Sequence, residues 1–127
     1  MTTRKERLRK LVTVQEQLKA LHETRHAGFV SAAAAAGQEA AELAARFDAR
    51  ESMSVLFPEV YNRRIGQALA RQEKNLQLTR EEADRIATAT ARTNMVERAY
   101  RDIRRQDDRD HADRERLEMI ERKRQGE

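Results

Sequence analysis

The sequence predicts an all-α fold: a long antiparallel two-helix coiled-coil hairpin with a C-terminal overhang of its second helix. Three observations carry that expectation. Charged residues make up 38% of the chain and aromatics 4%, with a single proline and no tryptophan or cysteine. The residue types that dominate, Ala, Glu, Arg, Leu and Gln, are helix formers, the composition of long helices and coiled coils. The large apolar residues occur singly, three or four positions apart, so the chain can bury a stripe and not a ball. No alternating Val/Ile/Thr run and no Asn-Gly or Asp-Gly turn points to a strand.

The first helix is expected over about residues 4–50. Thr3 and Glu6 stand at capping-box spacing, in which each side chain satisfies the other's backbone N–H. Leu11, Val14, Leu18, Leu21, Arg25, Phe29, Ala32, Ala36, Ala40, Leu43 and Phe47 then follow in steps of three and four. Their mean spacing is about 3.6 residues, which predicts one nearly straight seam with little supercoiling. The tract Ser31-Ala32-Ala33-Ala34-Ala35-Ala36 lies between Gly28 and Gly37, where small side chains admit close approach. Each interior glycine weakens the helix by about 1 kcal/mol relative to alanine.

A turn is expected over about residues 51–57. Ser52-Met53-Ser54 lowers helix propensity, and Pro58 is compatible with a first helical turn but not with an interior. Either Pro58 and Glu59 are the first two helical residues, or Ser54 caps the helix and Pro58 lies late in its first turn.

The second helix is expected over about residues 58–123, with a seam of Ile65, Leu69, Leu76, Ala83, Ile86, Val96, Tyr100 and Ile103. Between Arg104 and Arg116 ten of the thirteen residues are charged and only Ala112 is apolar. Folding the chain near residue 54 pairs residues whose numbers total roughly 108, as an αα-hairpin requires. The second seam then fails where the first helix runs out, and the remainder projects as one solvated helix. Pairs four apart, Glu97/Arg101, Asp110/Arg114 and Glu118/Arg122, support it by about 0.2–0.5 kcal/mol each. The whole chain, residues 1–127, reads as a single coiled-coil domain.

The formal net charge is +4, and residues 1–10 alone account for it through Arg4, Lys5, Arg7, Arg9 and Lys10 against Glu6. Residues 97–127 carry ten positive and ten negative charges. Phosphate-binding proteins spread basic charge along a face; acids interleave here beyond residue 10, so nucleic acid is not an expected partner. No apolar run approaches the length of a membrane span, and no apolar segment follows Met1-Thr2-Thr3-Arg4 as a secretory signal would require. With no cysteine, the reading is a cytoplasmic protein, peripheral to a membrane at most through partners.

One motif bears on chemistry. His22-Glu23-Thr24-Arg25-His26 spells H-E-x-x-H, the zinc-protease signature. A zinc hydrolase also needs a third ligand, for which Glu81, Glu82 or Asp84 lie in range, and a walled cleft that two helices do not build. The expectation is therefore two histidines facing solvent or the edge of the seam, no catalytic residue, no metal and no cofactor; His111 is expected to be solvated. Two sets of residues stand out for protein binding. Phe47, Leu56, Phe57 and Tyr61, with Val55 and Val60 nearby, cluster at the hairpin tip, where they plug the turn, present aromatic docking anchors, or do both. On the projecting helix the set is Arg104, Arg105, Arg109, Arg114, Leu117 and Ile120.

The layout resembles the FliJ/YscO family of flagellar and type III secretion proteins. The resemblance lies in an opening Arg-x-x-Lys-Leu-Val-x-Val-Gln-Glu stretch from Arg7 to Glu16. It lies also in a second helix that ends in the dense segment Glu97-Arg98-Ala99-Tyr100-Arg101-Asp102 through Arg122-Lys123. It implies a non-enzymatic cytoplasmic stalk. Family members insert helix termini into the pore of the hexameric export ATPase, contact the export-gate membrane protein and handle export chaperones. A generic helical scaffold or chaperone-like hairpin is the alternative.

Overall fold

The computed structural model describes residues 3–50 and 53–126. It contains two long helices packed antiparallel, α1 (Arg4–Asp48) and the longer α2 (Pro58–Gln125), joined through a short 3-10 turn at Met53–Val55. Glu51 and Ser52, the first residues of the expected turn, lie outside the described residues, as do Met1, Thr2 and Glu127.

The helix ends follow local chemistry. Thr3 Oγ1 accepts from the Glu6 amide at 3.2 Å, and the Thr3 amide donates to Glu6 Oε2 at 3.3 Å; this reciprocal pair is the capping box. At the other end of α1 the Ala49 amide bonds the Arg46 carbonyl at 3.2 Å, a tightened last turn. Ser54 Oγ donates to the Phe47 carbonyl at 2.8 Å, taking up one of the acceptors that a helix end leaves over. Ser54 therefore serves the end of α1. Phe57 caps α2, its carbonyl accepting from the Tyr61 amide at 3.4 Å, and Pro58 and Glu59 are the first two helical residues.

The chain divides into two compact units, Met1–Leu18 with Ala89–Glu127, and Lys19–Thr88. In the unit Lys19–Thr88 three cross-helix contacts mark the register: His22 to Glu82, Glu39 to Arg71, and Phe47 to Tyr61. In the other unit Lys5 Nζ lies 3.7 Å from Asp107 Oδ2. The residue numbers of all four pairs total within four of the predicted 108. Beyond Asp107, α2 continues to Gln125 over roughly 27 Å at the ordinary helical rise. From Arg104 to Gln125 every residue except Ala112 is exposed.

The phase of the seam differs from the sequence expectation. On α1 the inward residues are Lys5, Leu8, Val12, Gln15, Lys19, His22, His26, Phe29, Ala33, Ala36, Ala40, Leu43 and Phe47. On α2 they are Tyr61, Ile65, Ala68, Gln72, Asn75, Thr79, Glu82, Ile86, Ala89, Thr93, Val96, Tyr100 and Ile103. Both series step three and four in strict alternation, a mean of about 3.5 rather than 3.6, which is the coiled-coil repeat with its left-handed winding.

The expected α1 seam agrees from Phe29 to Phe47, with Ala33 fully buried beside Ala32, and fails before it. Leu11, Val14, Leu18 and Leu21 are 41–47% exposed. A straight helix drifts by about 20° per heptad from a seven-residue repeat. Leu11, Val14, Leu18 and Leu21 each stand one residue, about 100° of helical rotation, from the inward Val12, Gln15, Lys19 and His22, so the row that a 3.6 mean selects lies beside the 3.5-spaced seam. On α2, Leu69, Leu76 and Ala83 are likewise exposed, and polar residues hold the inward positions.

Those polar residues are satisfied locally. Thr79 Oγ1 donates to the Asn75 carbonyl at 2.8 Å, Thr93 Oγ1 to the Ala89 carbonyl at 2.8 Å, and Asn75 Nδ2 to the Arg71 carbonyl at 2.9 Å. Gln72 packs against Gly37, where an added Cβ would meet its Nε2 at 2.5 Å. Among the described residues no buried side-chain nitrogen or oxygen lacks a hydrogen-bond partner. Leu43 is the one large apolar side chain buried outright among them, and the remainder of the buried apolar set is alanine.

Candidate functional site: the hairpin tip and the free end of α2

The tip belongs to the unit Lys19–Thr88. Phe47 ends the α1 seam and Tyr61 begins that of α2. Both are half-buried, and their rings meet edge to face with centroids 6.3 Å apart and planes at 64°, a geometry suited to the aromatic quadrupole. This pair closes the seam. The Ser54 hydrogen bond and the bonds from the Leu56 and Phe57 amides to the Met53 carbonyl, at 3.1 and 3.0 Å, hold the turn.

With Phe47 and Tyr61 turned inward, the rest of the cluster faces out. Leu56 is 69% exposed and Phe57 51%, and Val55, Met53 and Val60 are exposed beside them. Leu56, Phe57, Pro58, Glu59 and Val60 line a shallow hollow. The four tip residues singled out from sequence therefore divide into a plug (Phe47, Tyr61) and an outward patch (Leu56, Phe57). Met53 was not among the tip residues expected from sequence. Its position one turn before Phe57 was the available signal. Exposed apolar side chains gathered in one patch mark protein interaction surfaces more often than the same residues scattered.

The free end of α2 places Arg104, Arg105, Arg109, Arg114, Leu117 and Ile120 in solvent, with Met119 exposed beside the last two. Arg105 pairs with Asp102 at 3.0 Å, Arg116 with Asp113 at 3.9 Å, and His111 with Glu115 at 3.1 Å. Glu97 and Arg101 form one of the expected i,i+4 pairs at 4.0 Å. Such pairs tie down little of the surface, so the guanidinium groups are presented along with the carboxylates.

The H-E-x-x-H histidines occupy the seam. His22 and His26 are half-buried on the face of α1 turned to α2, and Glu23 points outward. His22 Nδ1 donates to Glu82 Oε2 at 2.8 Å, and Arg85 donates to Glu82 Oε1 at 2.6 Å. Glu82 is 2% exposed. Burial pushes its carboxyl upward. The hydrogen bonds from His22 and Arg85 and their positive charge outweigh that, leaving it below the ordinary glutamate value. Of the acids considered as a third ligand, Glu82 thus approaches as the partner of one imidazole nitrogen. Among the described residues no group of three His, Cys, Asp or Glu side chains converges to hold a metal ion, and no helix is long and apolar enough to cross a membrane.

The chain matches no protein-family model, no characterised protein and no solved structure.

Proposed function

We propose that this protein is a non-enzymatic coiled-coil stalk or adaptor of a flagellar or type III protein export apparatus, the role implied by its resemblance to FliJ/YscO proteins. The observation that carries the reading is the unaccompanied end of α2, a continuous exposed helix of balanced charge running past the start of α1. A single helix is slender enough to enter a ring of subunits, and alternating arginine and carboxylate suit polar contacts with its wall. The outward tip patch of Leu56 and Phe57 supplies a second, apolar contact for the export gate or an export chaperone. On this reading the two seam histidines hold the helices together and take no part in chemistry.

The test is binding of the purified export ATPase and of the cytoplasmic part of the export gate from the same cell. Deleting residues 104–127 should abolish ATPase binding, and Leu56→Ser with Phe57→Ser should weaken gate binding, with far-UV circular dichroism still showing a folded hairpin. A deletion variant that binds the ATPase as the full chain does would defeat the stalk reading. The generic scaffold would then stand, since the apolar tip fits any helical partner.

A further inference from the structure

The outer side of α1 carries a second apolar row. We propose that Leu11, Val14 and Leu18 form a second coiled-coil seam that receives an α-helix of another protein, one whose apolar stripe is flanked by acidic residues. This inference does not depend on the export reading.

The three side chains are 44%, 47% and 41% exposed, and their steps of three and four are those of core positions in a coiled coil. Leu21 follows on α1 at the next step of three, equally exposed. These residues are not surplus from the inner seam, which runs through Leu8, Val12 and Gln15 on another face of the same helix. A helix with one partner has no use for two apolar rows. A flat or irregular partner gains nothing from this spacing, whereas a helix meets every one of the row's side chains.

Charge selects among helices. The outer row continues toward the N-terminus, at the same steps, through Arg7 and Arg4, with Lys10 beside it, all exposed. Lys5 is taken by Asp107. Among the described residues Arg4, Arg7 and Lys10 have no carboxylate partner, and Glu6 is held by the Thr3 amide. The row therefore offers an apolar centre and a cationic end with no acid in line. A second copy of this chain brings arginine to that end whether it lies parallel or antiparallel, since Arg4 and Arg7 or Arg25 then face it; like charges there oppose self-pairing. A membrane-lying helix sinks a broad apolar face containing aromatics, and this row is narrow and aliphatic. An acidic amphipathic helix satisfies both the row and its end.

The experiment uses the full chain and a fluorescent synthetic helix of about three heptads, with leucine at the core positions. One version is flanked at both ends by glutamates and the other by lysines. Fluorescence anisotropy should show binding of the glutamate helix and weaker binding of the lysine helix. Leu11→Glu with Leu18→Glu should remove binding. Arg4→Glu with Arg7→Glu should weaken the glutamate helix by about tenfold and strengthen the lysine helix, a reversal that a misfolded variant cannot produce. Equal binding of the two helices, or of neither, overturns the proposal. So does a dimer in sedimentation that Leu11→Glu with Leu18→Glu dissolves, or binding to vesicles of anionic phospholipid that the same pair of changes removes.

Discussion

Leu43 is the place to ask whether the seam lies where the structure puts it. It is 3% exposed, between Ala40 and Phe47 on the inner face of α1. Leu43→Ala removes three buried carbons, about 2.4 kcal/mol at roughly 0.8 kcal/mol each. A cavity term adds to this where the surroundings cannot collapse. Two helices alone form a thin structure into which water can follow, so the expected total stays at about 2–3 kcal/mol, the low end of the range for leucine truncations. Leu11→Ala removes the same carbons from a side chain that is 44% exposed, and alanine is the better helix former. Its expected cost is below about 1 kcal/mol. Urea unfolding followed by circular dichroism at 222 nm measures both. If Leu11→Ala costs as much as Leu43→Ala, the row Leu11–Leu21 is the buried one, and both the seam and the second surface built on it are wrong.

Gly28→Ala and Gly66→Ala should each stabilise the protein by about 1 kcal/mol, because both glycines are helical and an added Cβ meets nothing within 4 Å; Gly37→Ala should gain less, since Gln72 must move, and thermal melts of the three variants check the order. Glu82 has a folded value below its ordinary 4.5, so its contribution is present above that value and disappears as pH falls below it; acid titration of stability should flatten in Glu82→Gln, and an unchanged acid limb would remove the role given to the His22–Glu82–Arg85 cluster. Deleting residues 108–127 should lower the helical signal in proportion to the residues lost yet leave the urea midpoint nearly unchanged, because among the described residues of that stretch only Ala112 is not exposed.

The start of α1 was legible because Thr3 with Glu6 sets it locally, whereas at the start of α2 the sequence left Pro58 and Ser54 as alternatives, and the Ser54 hydrogen bond to the Phe47 carbonyl leaves Pro58 as the first helical residue. The register was legible too, since the turn position alone sets which residues lie opposite. The seam was legible where apolar side chains fill it, from Phe29 to Phe47 on α1 and at Ile65, Ile86, Val96, Tyr100 and Ile103 on α2. Elsewhere Gln15, Lys19, His22, Gln72, Asn75, Thr79 and Glu82 face inward, and a search for apolar periodicity passes over them to Leu11, Leu18, Leu69 and Leu76. What makes these polar positions tolerable is invisible to such a search: a carbonyl one turn back for Thr79, the open space at Gly37 for Gln72, and His22 with Arg85 for Glu82. Counting back from Leu43 by sevens, through Ala36, Phe29, His22 and Gln15 to Leu8, would have recovered the face. The tip was located by its aromatics, but which of them turn inward depends on the Ser54 hydrogen bond and the path of the turn.

In the unit Lys19–Thr88 the apolar residues buried outright are alanines apart from Leu43, and polar side chains hold many of the other inward positions, so little apolar surface is released when its helices part. Hydration of newly exposed apolar surface is what gives unfolding its large heat-capacity change. Here that increment is small for the number of residues, so stability varies gently with temperature and the fold keeps its footing in the cold, where proteins with oily interiors lose theirs.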